Sequence, residues 1–253
     1  LEGPTAEVND KIRGKKVFEI TCKNLKELVD FKRKHNLTNL TITVNTVVSQ
    51  LNIEYIIDMI MWCQTMGVDE IGLLQFLAEG NGAKLNGTIT PEQELELIEK
   101  IAGIYENMKG KIKIVPKFTY PLAGKYARKV LNLDFPEYGH YCGAGEFFFY
   151  MNNRGELYPC DRYRDRMMDL WDREKLVLSD ESADFWDIAS MHGFEEVFEK
   201  MEGKDEYKKC HPCSQCEFLR KNCYPCPVYA AGREIQVRAC AKMWEEIKNV
   251  ENK

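Results

Sequence analysis

At 253 residues, with 44% hydrophobic and 30% charged side chains, the chain can bury one large core or two smaller ones and reads as globular. A net charge of −5 and a pI near 5.6 exclude the clustered basic surface of a nucleic-acid binder. No apolar run approaches the roughly 20 residues that span a bilayer. Leu1-Glu2-Gly3-Pro4 has neither the basic nor the apolar character of a signal peptide. The expectation is a cytoplasmic protein without membrane or nucleic-acid partners. Because the first residue is not Met, a fragment of a longer chain is also expected.

The first half alternates helix and strand signals. Leu25, Leu28, Val29 and Phe31 make an apolar helical face, which predicts a helix from Asn24 to His35 with Asn24 as its cap. The β-branched run from Asn39 to Val48 predicts a strand. Asn52 is positioned to cap a helix that runs to about Met66 and stops at Gly67. Ile71 to Leu77 reads as a second strand. Thr90-Pro91-Glu92-Gln93 combines a capping box with proline at the first helical position, and Gly110 is the expected stop. Lys111 to Phe118 is a further strand. Strands and helices in alternation with short joins predict parallel βα units in an α/β fold.

The character changes between Pro121 and Pro136, and a domain boundary is expected near residue 135. Glu146 to Met151, the turn Asn152-Asn153-Arg154-Gly155, and Glu156 to Tyr158 read as a β-hairpin. Beyond it the chain is irregular, with helical stretches predicted near Gly193 to Met201 and Arg238 to Lys248.

Eight of the ten cysteines lie in this second part: Cys142, Cys160, Cys210, Cys213, Cys216, Cys223, Cys226 and Cys240. The chain is too long, and its first half too cysteine-poor, for a disulfide-stapled mini-protein, so thiolates on metal in a reducing compartment are expected. Cys213-Ser-Gln-Cys216 and Cys223-Tyr-Pro-Cys226 each place two thiolates on one turn, where they can face one metal or one cluster edge. Spacing alone leaves iron–sulfur clusters and one or two structural zincs level.

Cys142-Gly-Ala-Gly, an apolar strand and Gly155-Glu-Leu-Tyr-Pro-Cys160 resemble the opening of a SPASM domain, the C-terminal extension of many radical S-adenosylmethionine enzymes. The family pattern continues as Cys-x2-Cys-x5-Cys-x3-Cys, a gap and a last Cys. Here Cys213-x2-Cys216-x6-Cys223-x2-Cys226 precedes Cys240, with two spacings off by one in opposite directions. Upstream, the stretch from Leu1 to Gly14, with Asn9-Asp10 and Ile12-Arg13-Gly14, resembles the segment after the fourth barrel strand of these enzymes. The resemblance covers essentially the whole chain. It implies the later half of a partial (β/α)6 barrel over residues 1–135 and a SPASM domain over 136–253.

The resemblance also implies site residues. Cys142, Cys160 and Cys226 would take a first auxiliary 4Fe–4S cluster, and Cys213, Cys216, Cys223 and Cys240 a second. The first cluster then lacks a fourth thiolate, and Cys210 or an open, substrate-binding iron would complete it. Asp161 matches the residue that acts as a base in the anaerobic sulfatase-maturating branch, where a carboxylate beside a cluster takes a proton during substrate oxidation; pairing with Arg162 or Arg164 is the plainer reading. Arg13 and Asn45 match contacts to the amino-acid and ribose parts of S-adenosylmethionine, and Leu74 lies on the strand that faces the adenine. Their plainer readings are a surface ion pair, a strand-end cap and core. The CxxxCxxC motif that binds the catalytic cluster is missing, and isolated Cys22 and Cys63 cannot supply it. In the family it lies upstream of where this sequence begins, so this chain alone is expected to make no 5′-deoxyadenosyl radical.

Other features carry less. Glu79-Gly-Asn-Gly82 lies after a strand, as ligand loops do, but Lys84 does not complete a phosphate-binding loop and a simple turn is the plainer reading. His35, His140, His192 and His211 show no paired metal spacing. The function expected of the whole protein is oxidation or cross-linking of a peptide or protein side chain, with a reductant such as ferredoxin or flavodoxin as partner. The alternatives are a non-catalytic iron–sulfur scaffold or electron-transfer protein, which an upstream CxxxCxxC would exclude, and a zinc-stabilised interaction module, which brown colour would exclude.

Overall fold

The computed structural model describes residues 1–78, 80–139, 150–153, 157–158, 160, 206–226 and 238–252. Contacts group Leu1–Tyr138 with Lys242–Lys253 as one unit and Gly139–Ala241 as another.

The first unit is built on a three-stranded parallel sheet in the order β1 (Thr43–Val48), β2 (Glu70–Gln75), β3 (Lys113–Pro116). Asn45 is level with Gly72, and Gly72 with Val115. The helices are α1 (Ala6–Arg13), α2 (Val17–Lys34), α3 (Ile56–Met66), α4 (Pro91–Met108) and α5 (Leu122–Tyr126), the last running into a π turn at Ala127–Leu131. One crossover helix sits between each pair of neighbouring strands, as parallel pairing requires. The mixed α/β class and the parallel βα units of the sequence reading are present.

One face of the sheet is buried. Val44, Val48, Ile71, Leu73 and Ile114 join Ile56, Met59, Ile60 and Cys63 of α3 and Leu97, Ile98 and Ile101 of α4 in the core. Each fully buried Ile or Leu contributes roughly 1.5–3 kcal/mol, so this interlayer core dominates the unit's stability.

Local signals explain most helix ends. Thr90 accepts from the Gln93 backbone N–H, and the Gln93 side chain accepts from the Thr90 N–H, so the predicted capping box closes. Gly67 ends α3 with φ +81°, a backbone conformation that favours glycine over any L side chain.

Four expectations need correction. Asn24 caps nothing: α2 begins at Val17, and Asn24 lies inside it. The cap comes from elsewhere, because Asp10 accepts from the Lys16 and Phe18 backbone N–H groups at 2.7 and 2.8 Å. The expected apolar face of α2 is largely outside the core, since Val29 is buried while Leu28 and Phe31 are exposed. Asn52 caps no helix with its side chain. Its amide instead donates to the Glu2 and Val47 carbonyls, and its oxygen accepts from Ser49. Finally, the strands are shorter than predicted, at Thr43–Val48, Glu70–Gln75 and Lys113–Pro116, because pairing with a neighbour, not β-propensity, sets their ends.

In the second unit, β4 (Tyr150–Met151) pairs antiparallel with β5 (Leu157–Tyr158), so the predicted hairpin is present in its described residues. A short helix α6 (Glu206–Lys209) precedes the cysteine-rich turns. The last helix, α7 (Arg238–Glu251), matches its prediction, and from Lys242 on it is grouped with the first unit. The helix predicted near 193–201 lies outside the described residues. Among the described residues no helix is long and apolar enough to cross a membrane.

Candidate functional site

Strand alternation sends Thr43, Asn45 and Val47 of β1 and Glu70, Gly72 and Leu74 of β2 to the sheet face opposite the core. On β3, Lys113 and Val115 share that face. Asn45 and Leu74, expected as cofactor contacts, are therefore on one face: Asn45 is level with Gly72, and Leu74 with Val47. Asn45 is exposed, and Leu74 is half-buried.

A glycine sits here for a reason that a strand pattern signals only weakly. A Cβ on Gly72 would lie 2.3 Å from Asn45 Oδ1, so the bare backbone lets the Asn45 side chain lie across the neighbouring strand.

Arg13 reaches this end of the sheet through a residue not singled out from sequence. The Glu2 side chain is only 2% exposed. Its carboxylate accepts from Arg13 Nε at 2.8 Å, from Arg13 Nη2 and from the Val47 backbone N–H at 2.8 Å. The Glu2 backbone N–H donates to Asn9 Oδ1 at 2.8 Å, and Asn52 donates to its carbonyl at 2.9 Å. The Leu1 backbone nitrogen donates to the Asn45 carbonyl at 3.3 Å. A buried carboxylate is tolerated only when paired and fully hydrogen-bonded, as this one is. Arg13 is thus an ion-pair partner first, with its outer surface still 52% exposed.

Glu94 stands out on α4. It precedes Leu97, Ile98 and Ile101 on the core-facing stripe, and part of it reaches the surface. Burial pushes its carboxyl up to about 8.

In the second unit, a 3₁₀ turn at Cys213–Gln215 brings the Cys216 N–H to the Cys213 carbonyl at 3.1 Å, and the Ser214 N–H donates to the Cys210 carbonyl at 2.9 Å. The next turn closes where Cys223 N–H donates to the Phe218 carbonyl at 3.0 Å and Arg220 N–H to the Cys223 carbonyl at 2.9 Å. Backbone bonds therefore fold Cys210, Cys213, Cys216 and Cys223 into one neighbourhood. Burial, then Cys216 and Cys210, push the Cys213 thiol up to about 12. Burial, then Cys213 and Cys216, raise the Cys223 thiol. Tyr207 is 4% exposed, and its hydroxyl donates to the Cys226 carbonyl at 3.0 Å. Cys160 and Cys240 are buried, and Cys210, Cys213, Cys216 and Cys226 are half-buried.

Soft thiols gathered on tight turns suit a thiolate-ligated metal or cluster in donor chemistry, and a bound cation would bring their raised pKa values down. Among the described residues, however, no three His, Cys, Asp or Glu side chains converge closely enough to hold one metal ion. Cys142 and Asp161 lie outside the described residues. In the first unit, Cys63 is fully buried on α3 and Cys22 half-buried on α2. Burial pushes the Cys63 thiol up to about 12, as for an inert core thiol.

No protein-family model matches the chain, and no curated protein matches it. Among solved structures it is similar to SuiB of Streptococcus suis bound to S-adenosylmethionine, at 14% identity over 87% of this chain and 46% of that one, with a TM-score of 0.52. A second structure of Streptococcus suis SuiB matches at 16% identity over 65% of this chain and 37% of that one, with a TM-score of 0.43. The first likeness is one of fold alone: this mixed α/β chain is folded like part of S-adenosylmethionine-bound SuiB. The chain spans less than half the length of the SuiB structures it matches.

Proposed function

We propose that this chain is part of a radical S-adenosylmethionine enzyme that oxidises or cross-links a peptide or protein side chain. The observation that carries the reading is the fold likeness to S-adenosylmethionine-bound SuiB over 87% of the chain. The order of the eight cysteines from Cys142 to Cys240 supports it independently.

In the whole protein, S-adenosylmethionine with a 4Fe–4S cluster on a CxxxCxxC motif would supply hydrogen-atom abstraction from the substrate. The residues of this chain bind and orient. Asn45 and Leu74 would line the cofactor on the open sheet face, where Gly72 leaves room for the Asn45 amide. Arg13 would contact it with the guanidinium surface that Glu2 leaves free. Glu2 fixes that guanidinium against the end of β1. Cys213, Cys216, Cys223 and Cys240 would hold one auxiliary 4Fe–4S cluster, and Cys142, Cys160 and Cys226 another, with Cys210 as a candidate fourth ligand. The reading has Asp161 take up a substrate proton beside that site. A reductant such as ferredoxin or flavodoxin would supply electrons.

Iron, acid-labile sulfide and zinc per chain, on protein purified and reconstituted without oxygen, test the auxiliary clusters. The expected result is about eight irons with matching sulfide, the content of two cubane clusters. One or two zincs with little sulfide would instead make the second unit a structural zinc module.

A further inference from the structure

Burial recurs with a period of three along the first cysteine turn. Tyr207 is buried and Cys210, Cys213 and Cys216 are half-buried, while the positions between them are exposed apart from buried Pro212. The backbone explains the period. Ser214 N–H donates to the Cys210 carbonyl at 2.9 Å, Gln215 N–H to the Pro212 carbonyl at 3.0 Å, and Cys216 N–H to the Cys213 carbonyl at 3.1 Å. In so tight a coil, side chains three apart eclipse, so Cys210, Cys213 and Cys216 form one row.

The chain then turns back on that row. Leu219 N–H donates to the Cys216 carbonyl at 3.3 Å, and Leu219 bridges to Cys223. The Tyr207 hydroxyl donates to the Cys226 carbonyl at 3.0 Å and so ties this return to α6. Buried Cys223 is thereby brought beside the end of the row.

Cys240 is buried for a different reason. Ala239, Cys240, Met243, Trp244 and Ile247 are all buried and fall on one face of α7, the apolar stripe of an amphipathic helix. Lys242 Nζ pairs with Glu92 Oε1 of α4 at 2.8 Å. A thiol on such a stripe packs as a small apolar side chain.

We propose that Cys210, Cys213, Cys216 and Cys223 ligate one metal centre, with Cys210 in the place that the family resemblance gives to Cys240. That the centre is a 4Fe–4S cluster rests on the function proposed above, and four thiolates are what such a cluster takes. The spacing agrees, since among the described residues no three of these side chains close on a single ion. A four-iron core takes its thiolates at separate corners, farther apart than the shell of about 2.3 Å around one zinc.

The test is iron, acid-labile sulfide and zinc per chain, on protein purified and reconstituted without oxygen. Cys210→Ala should lose about four irons with their sulfide. Cys240→Ala, checked for folding by circular dichroism, should keep the wild-type content. The double variant Cys210→Ala/Cys213→Ala should lose no more iron than Cys210→Ala, because both thiols serve one cluster. A loss of about eight irons in the double variant would put them on different clusters and overturn the proposal. Full iron in Cys210→Ala, or iron loss in folded Cys240→Ala, also overturns it.

Iodoacetamide labelling of the loaded wild-type protein, read by mass spectrometry, needs no variant. Cys210 should stay unlabelled together with Cys213 while half-buried Cys22 reacts. Labelling of Cys210 at the rate of Cys22 overturns the ligand set. Zinc with little sulfide in the wild type would sink the cluster reading alone. In that case loss of one zinc in Cys210→Ala supports the ligand set, and unchanged zinc overturns it.

Discussion

The two units are held together by different physics. In the first, the sheet and helices α3 and α4 bury a continuous aliphatic core, and polar groups near the strand ends are satisfied by one another, as in the Glu2–Arg13–Val47 cluster. Among the described residues of the second, three of the six buried hydrophobic side chains are cysteines, namely Cys160, Cys223 and Cys240 beside Tyr207, Phe218 and Ala239. A unit whose buried side chains are largely thiols gains less from removing apolar surface, and its folding free energy is expected to come in part from metal–ligand bonds. The first unit should therefore keep its structure without metal, and the second should not.

The largest test of that contrast is thiol deletion. Cys213→Ala or Cys223→Ala should remove one cluster, about four irons per chain, and loosen the second unit to proteolysis. Cys22→Ala and Cys63→Ala should keep the full iron content. Iron loss in Cys22→Ala would end the division of labour drawn here.

Ile60→Ala tests the other side. Ile60 is fully buried in α3, so truncation should cost about 2–5 kcal/mol, read as a lower denaturant midpoint of the first unit with the iron content unchanged. Coupled loss of iron would mean that the two units do not fold by separate means.

Glu94 gives a pH test within the first unit. Its carboxyl is raised to about 8 in the folded chain from an ordinary 4.5. Between those values the folded state holds a proton that the unfolded state has released. Stability from this group is thus complete below pH 4.5 and is lost as pH rises through 8, at no more than about 1.4 kcal/mol per pH unit. Glu94→Gln should flatten that slope and raise the thermal midpoint at pH 8 more than at pH 5. An unchanged slope would show that the carboxyl is ionised in the fold.

The smallest effect should have the opposite sign to most substitutions. Thr46 lies on the core face of β1, fully buried, and its hydroxyl has no hydrogen-bond partner among the described residues. Thr46→Val replaces that hydroxyl with a methyl group of similar size and should stabilise by about 1 kcal/mol in chemical denaturation. A loss of stability would mean that the hydroxyl is satisfied.

Several features followed from the sequence alone because their causes are local. The βα alternation came from apolar runs and β-branched residues, the start of α4 from Thr90 and Gln93, the end of α3 from Gly67, and the hairpin from its turn residues. The crowding of thiols was equally plain, because tight backbone turns at Cys213 and Cys223 depend on residues only a few positions apart.

Only the tertiary structure decided the rest, because the groups involved are distant in sequence. Asp10 caps α2 from the preceding helix, where Asn24 had been the local candidate. Glu2 binds Arg13 and the end of β1 across 45 positions, and its burial, invisible in composition, turns an ordinary acidic residue into an anchor. Gly72 carried no reading of its own in the sequence, and strand register set Asn45 beside it, with Asn45 Oδ1 in the room a Cβ would take. A sequence states which groups a chain carries, while the pairing of strands determines which of them meet on one face.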